Sequence, residues 1–107
     1  MIQHCVLLSL KDPVNPAYLD KAMGLISGLV GKVPGLIDVC HGPNRDFENL
    51  SSKYQYGLLV TATGREALEA YGVHPDHVTA SGFILQLCEG GIDGVFVADI
   101  ECSPAQG

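Results

Sequence analysis

Two stretches of the chain repeat with a period of two, and this alternation restricts the fold to one built around a sheet. In residues 2–10 and 54–62, one set of alternate positions is strongly apolar. Successive side chains of a strand point to opposite faces of a sheet, so both stretches are predicted to be strands with one buried face. Shorter strands are predicted at residues 36–41 and 95–101. The buried face is expected to carry Val6, Leu8, Tyr56, Leu58 and Val60.

The segments between the strands have the spacing of amphipathic helices. Asn15 and Pro16 suit the N-cap and the first position of a helix, and apolar residues then recur at three- and four-residue intervals as far as Val33. Pro34 and Gly35 are predicted to end this helix. Two further helices are predicted, from residue 65 to about residue 72 and from residue 75 to about residue 87.

Pro75 separates the last two helices. Because proline lacks an N–H group and fixes its own φ, it belongs at the first position of a helix, and it moves the preceding residue out of the α region. We therefore expect His74 to be the N-cap, with Asp76 and His77 in the first turn. The unpaired N–H groups there disfavour protonation of His77. A neutral histidine can act as a base or accept a hydrogen bond.

The predicted order of elements is β-α-β-β-α-β, with the second helical segment divided at Pro75. This is the α+β ferredoxin-like arrangement, with the helices on one face of a four-stranded antiparallel sheet. The opposite face is expected to carry Gln3, Cys5, Leu7, Gln55, Gly57, Leu59 and Thr61. Since such a semi-apolar surface is unfavourable in water, we expect a second sheet to cover it in a symmetric homodimer.

Composition and charge narrow the class of protein. The 107 residues predict one domain over residues 1–107, with a core of about residues 2–101 and a loose C-terminal tail. Hydrophobic residues make up 47% of the chain and charged residues 17%, which is more apolar than a small monomer needs. The net charge of −6 and the lack of a basic cluster argue against nucleic acid and anionic membranes as partners.

The N-terminal residues and the cysteines indicate a cytoplasmic protein. Residues 1–5 have no positive region or cleavage site of a signal peptide, and no apolar run approaches the length of a membrane span. The cysteines form no C-x-x-C pair, so structural thiols are expected rather than disulfides or a zinc site. His74 is expected outside the helix of His77, which breaks the spacing of a helical two-histidine metal site. We expect no metal and no cofactor.

Four segments resemble the stress-responsive A/B barrel (Dabb) family. They are Ile-x-His-Cys-Val-Leu-Leu at residues 2–8, Val-Pro-Gly at residues 33–35, the strand of residues 54–60, and His-Pro-Asp-His-Val at residues 74–78. The resemblance covers about residues 2–101, and the last segment is its most specific part. It implies a dimeric α+β barrel built from two ferredoxin-like protomers, which agrees with the predicted order of elements.

The resemblance also implies a site. A plant polyketide cyclase of the family works without a cofactor and has an essential tyrosine and histidine that match Tyr71 and His77, and a pocket histidine that matches His4. The alternation of the strands independently places His4 and Tyr56 on the face toward the helices, so we expect four polar groups in one pocket. The candidate catalytic residues are Tyr71 and His77. The candidate substrate-binding residues are His4, Tyr56, Met23 and Ile26.

This chain also departs from that cyclase. Tyr56 stands where the cyclase has another pocket histidine. Ala22, Met23 and Ile26 take the places of aromatic residues on the first helix. The cavity is therefore expected to have a different shape, and the ligand is expected to be a different small hydrophobic carbonyl compound.

Three interpretations of function stay open. The first is a homodimeric domain with one small-molecule pocket per protomer, in which Tyr71 and His77 merely close a helix junction. The second is a cofactor-independent lyase or cyclase in which His77 removes a proton next to a carbonyl or thioester and Tyr71 donates to the enolate oxygen. The third is a monooxygenase of the same barrel architecture. The chain has no tryptophan, which argues against the haem-degrading type.

Overall fold

The computed structural model describes residues 1–103 and has the predicted ferredoxin-like α+β architecture. The elements are β1 (Ile2–Leu8), α1 (Pro16–Ser27), β2 (Leu36–Pro43), β3 (Tyr56–Ala62), α2 (Arg65–Val73), α3 (Pro75–Leu87) and β4 (Val95–Glu101). A short 3₁₀ turn, Gly91–Gly94, precedes β4. The expected loose tail falls mostly on residues 104–107, which lie outside the described residues.

The four strands form one antiparallel sheet in the order β2-β3-β1-β4. β1 is therefore an inner strand and β4 is an edge strand. The register places His4 of β1 between Val60 of β3 and Asp99 of β4. Because directly opposite residues of neighbouring strands share a face of the sheet, His4 and Asp99 project to the same side.

The helices cover one face of the sheet, as the alternation predicts. Val6, Leu8, Leu58 and Val60 are all buried. They form one core with buried side chains of α1 and α3, among them Ala22, Met23, Ile26, Ala80 and Ile84. The apolar material of a small domain is thus concentrated in a single layer between the sheet and the helices.

The opposite side of the sheet, here called the open sheet face, carries the predicted semi-apolar surface. Leu59, Phe96 and Ile100 are 42%, 44% and 54% exposed, and Cys5 and Leu7 are partly exposed. In the register, Cys5 and Cys40 flank Leu59. No helix of residues 1–103 packs on this face.

The first helix is shorter than predicted. It ends at Ser27 rather than at Val33, with Gly28 as its C-cap. The chain continues in turns that keep Leu29 and Val33 buried, which explains why the apolar spacing runs past the end of the helix. Gly31 has a φ of 90°, a conformation that glycine adopts without the steric penalty of a side chain.

The strand boundaries also differ from the prediction. β1 ends at Leu8 because Ser9 N–H donates to the Gly94 carbonyl at 2.8 Å, which draws the chain away from β3. Leu10 forms only an isolated bridge, with Cys88. β2 extends to residue 43 and β3 begins at residue 56.

Alanine substitution of two glycines tests this packing, with opposite expected signs. A Cβ atom at Gly94 would lie 2.5 Å from the Glu89 carbonyl oxygen and 3.1 Å from that of Ser9, so Gly94→Ala should destabilise the fold by about 1–3 kcal/mol. A Cβ atom at Gly82, within α3, meets no atom within 4 Å. Gly82→Ala should therefore stabilise the fold by up to about 1 kcal/mol. Urea unfolding measures both, and a stabilising Gly94→Ala would contradict the close approach.

Candidate functional site

The proline break places two helices over the edge of the sheet, where they enclose a cleft of about 690 Å³. α2 ends at Val73, His74 has an extended backbone (φ −62°, ψ 137°), and α3 begins at Pro75. The end of α2 contributes Tyr71 to the wall, and the first turn of α3 contributes His77. β1 and β4 form the floor.

The capping residues of α3 are engaged in local contacts. His74 Nδ1 accepts a hydrogen bond from Asp76 N–H at 3.1 Å, which confirms the predicted N-cap. The Asp76 carboxylate also accepts from Lys32 Nζ at 3.3 Å. These three residues hold the junction against the turns that follow α1, and they do not line the cleft.

Tyr71 is a buried hydrogen-bond donor at the wall of the cleft. Its side chain is 3% exposed, and burial raises its pKa to about 12, so the hydroxyl stays protonated at neutral pH. The hydroxyl has no hydrogen-bond partner among residues 1–103, yet no fully buried polar side-chain atom in these residues lacks one. The hydroxyl is therefore accessible from the cleft.

His77 lies beside Tyr71 and is neutral at pH 7. The two ring centroids are 4.5 Å apart, at an interplanar angle of 58°. Burial lowers the pKa of His77 below its ordinary value; the Gly72 backbone opposes this, and the nearby His4 adds to it. Ser81 Oγ lies 3.5 Å from Nδ1, one turn further along α3. The pKa of His77 is shifted in the predicted direction, but burial rather than the end of the helix is the main cause.

His4 is held by an acidic residue that the sequence analysis did not identify. His4 Nδ1 lies 2.5 Å from Asp99 Oδ1. Because a carboxylate oxygen only accepts hydrogen bonds, His4 Nδ1 donates to Asp99. The imidazole meets the Tyr71 ring edge-on, with centroids 5.9 Å apart. Tyr71 thus has two histidine rings beside it.

Asp99 could have been found from the period of β4. Val95, Val97 and Asp99 alternate on the helix-facing side of this strand. The same parity argument that placed His4 applies to residue 99 once β4 is paired with β1. That pairing follows from the strand order of the predicted fold.

The cleft changes in polarity along its length. The end nearest the start of β1 carries Arg65 and Glu69, which form an ion pair with Arg65 Nε 2.9 Å from Glu69 Oε1. Tyr71, His77 and His4 occupy the middle. The other end is apolar and is lined by Val6, Ile84, Leu85, Ile92, Val95 and Val97.

The structure brings four of the six candidate residues together. Tyr71, His77, His4 and Ile26 all line the cleft. Tyr56 and Met23 do not line it. Strand alternation predicts correctly which side chains project toward the helices. It does not predict which part of the sheet lines the cleft.

The expected placement of Tyr56 and Met23 in this cavity is wrong. Tyr56 lies opposite Leu8, toward the β2 edge of the sheet, where its hydroxyl is 2.6 Å from His41 Nδ1. Met23 is 2% exposed and packs in the core below α1. His41 is exposed.

The described part of the chain has neither a cluster of metal-binding side chains nor a membrane-spanning helix. Among residues 1–103, no group of three or more histidine, cysteine, aspartate or glutamate side chains is arranged to hold a metal ion. Within the same residues, no helix combines the length and the apolar character that crossing a membrane requires.

The fold and the cleft define a ferredoxin-like α+β domain with a mostly apolar cavity under paired helices. The chain belongs to the stress responsive A/B barrel domain family, whose model matches residues 2–102. This agrees with the resemblance inferred from the segments around residues 2–8 and 74–78.

Three similar proteins illustrate the range of the family and its fold. The stress-response A/B barrel domain-containing protein HS1 of Arabidopsis thaliana is 29% identical over 98 residues, covering 92% of this chain and 86% of its own. Olivetolic acid cyclase of Cannabis sativa is 27% identical over 77 residues, covering 72% and 76%. A dimeric ferredoxin-like protein of unknown function from Jannaschia sp. CCS1 is 41% identical with a TM-score of 0.85, covering 94% and 98%.

The lowered pKa of His77 predicts a pH dependence of stability. Above the ordinary value of 6.5, His77 is neutral in both the folded and the unfolded chain. Between that value and the lower folded pKa, only the unfolded chain binds the proton, so the free energy of unfolding falls as the pH falls.

Chemical unfolding of the wild type and of His77→Gln, between about pH 7.5 and about pH 5, measures this effect. The wild type should lose stability more steeply below 6.5 than the variant does. Parallel curves over the whole range would contradict a buried, neutral His77.

Proposed function

We propose that this protein is a homodimer in which each protomer binds one small, largely apolar carbonyl compound in its cleft. One observation carries the proposal. A protonated Tyr71 hydroxyl and a neutral His77 imidazole stand side by side on the wall of a mostly apolar cavity. Small-molecule sites typically combine apolar walls with a few convergent polar groups.

The polar groups suit a carbonyl oxygen. A carbonyl oxygen accepts hydrogen bonds and donates none, so it needs a hydrogen-bond donor in the site. The Tyr71 hydroxyl is such a donor and has no hydrogen-bond partner among residues 1–103. The apolar end of the cleft, at Leu85, Ile92 and Val97, suits the hydrocarbon part of the same molecule. Burying that part is favourable by about 25 cal/mol per Å² of apolar surface.

The open sheet face supports the homodimer. It presents partly exposed Leu59, Phe96 and Ile100 on one flat layer. The similar protein from Jannaschia sp. CCS1, at 41% identity, is described as dimeric. Two such faces packed together would remove the apolar surface from water in a symmetric, self-complementary contact.

A second candidate function is cofactor-independent acid–base catalysis. It is favoured by the 4.5 Å separation of the Tyr71 and His77 rings and by the neutral state of His77. In this reaction His77 removes a proton from the carbon next to the carbonyl group, and the Tyr71 hydroxyl donates a hydrogen bond to the enolate oxygen. The similarity to olivetolic acid cyclase, at 27% identity, supports this chemistry.

The binding proposal predicts that removal of one hydroxyl weakens ligand affinity. Isothermal titration of a medium-chain methyl ketone should show Tyr71→Phe binding about three- to tenfold more weakly than the wild type, as expected for one lost hydrogen bond. Tyr18→Phe is the matched control because Tyr18 lies on α1, outside the cleft. Equal affinity of wild type and Tyr71→Phe would contradict the role of the hydroxyl.

Proton exchange separates binding from catalysis. In deuterated buffer, a catalytic His77 should exchange the protons next to the ketone carbonyl, and His77→Gln should slow this by about 10²–10⁴-fold. The NMR signal of those protons measures the rate. Binding with no exchange above the buffer rate would retain the first function and reject the second.

The homodimer predicts that a charge on the open sheet face separates the protomers. Leu59→Asp should reduce the mass measured by light scattering from twice 11.3 kDa to 11.3 kDa, because the new carboxylate would be buried without a partner. Leu50→Asp is the control, since Leu50 is exposed on the loop between β2 and β3. His77→Gln should remain dimeric. A wild type with the mass of one chain would refute the proposed dimer.

A further inference from the structure

We infer that the cleft selects uncharged ligands and excludes carboxylates, and that Asp99 and Glu69 are its specificity-determining residues. The inference rests on the proposed function, because it narrows the class of carbonyl compound that the cleft binds.

Negative charge predominates in the lining. The lining holds two carboxylates, Asp99 and Glu69, and one guanidinium, that of Arg65. Asp99 is paired with the His4 imidazole. Arg65 is already paired with Glu69 at 2.9 Å, and its side chain is 90% exposed. No lysine lines the cleft. An incoming anion therefore finds no unpaired cation in this cavity.

Asp99 acts on the middle of the cleft, where the ligand's polar group binds. Its carboxylate contacts His4, whose ring meets the edge of Tyr71. A second carboxylate near Tyr71 would be repelled by that of Asp99 over a short distance. Asp99 is 54% exposed, so water and salt weaken this repulsion without removing it.

Desolvation acts in the same direction. A carboxylate that enters between Val6, Ile26 and Ile84 exchanges its hydration for apolar contacts. Tyr71, His77 and Ser81 supply only neutral groups in return, which suffice for a carbonyl oxygen but do not balance the charge of a carboxylate. An uncharged ester or ketone avoids both penalties.

The positive N-terminal end of α2 does not make the cleft favourable for a carboxylate. The N-terminus of α2 lies at the polar end of the cleft, where unpaired N–H groups favour anions. Glu66 in the first turn and Glu69 in the second already occupy that potential with negative charge. The chain as a whole carries a net charge of −6, which adds long-range repulsion.

A matched pair of ligands tests the inference. A medium-chain γ-keto acid and its methyl ester share the ketone and the hydrocarbon chain and differ in charge at neutral pH. Isothermal titration at fixed ionic strength should give a dissociation constant about tenfold or more lower for the ester than for the acid. Added salt should narrow that ratio.

Two variants assign the selectivity to named residues. Asp99→Asn keeps the size of the side chain and removes its charge, so the ester-to-acid ratio should fall about threefold or more. Glu69→Gln frees Arg65 and should lower the ratio as well, without touching His4. Asp20→Asn is the control, because Asp20 is exposed on α1 and does not line the cleft. Its ratio should equal that of the wild type.

The outcomes distinguish this inference from the proposed function. If the acid binds as tightly as the ester, the cleft is a ligand site but does not select against charge, and only this inference fails. If the ratio is large but unchanged in both Asp99→Asn and Glu69→Gln, the assignment to these residues is overturned. If neither ligand binds, the proposed function fails together with the inference.

Discussion

The site depends on the missing N–H group of one proline. Pro75 ends one helix and starts the next, and His74, held in an extended conformation, caps the new helix through its own ring. The Lys32 ammonium pairs with Asp76 and holds the junction to the segment that follows α1. A continuous helix would carry Tyr71 and His77 six positions apart, on different faces. The break instead turns both rings toward one cleft.

Burial then gives the two rings complementary chemistry. The same desolvation raises the pKa of Tyr71 and lowers that of His77, so one ring stays a donor and the other stays neutral at pH 7. Asp99 orients His4, whose ring meets that of Tyr71 edge-on. The apolar core below supplies the low-dielectric wall that makes these shifts possible. The packing that buries the two rings therefore also sets their protonation states.

Most of the fold follows from patterns that the sequence shows directly, and four of the six candidate site residues follow from those patterns together with the family resemblance. Strand alternation and the proline rule specify the order of elements, the buried face of β1 and the N-cap at His74. The sequence places Tyr56 on the correct face of the sheet but does not predict its contact with His41. Periodicity shows the face to which a side chain projects and not which part of that face lines the cleft. The contact of Asp99 with His4 follows only when β4 is paired with β1, and these two strands are far apart in the chain. The period of β4 alone does not show it. Helix α1 was predicted too long, since Leu29 and Val33 stay buried in turns.

The central claim is that Tyr71 and His77 together hold the polar group of a small carbonyl ligand inside the protomer. Intermolecular nuclear Overhauser effects between a bound methyl ketone and the protein test it most directly. The account predicts contacts from the protons next to the carbonyl group to the ring protons of Tyr71 and His77, and from the chain end to Leu85 or Val97. Contacts confined to the open sheet face, at Leu59 or Phe96, would contradict it.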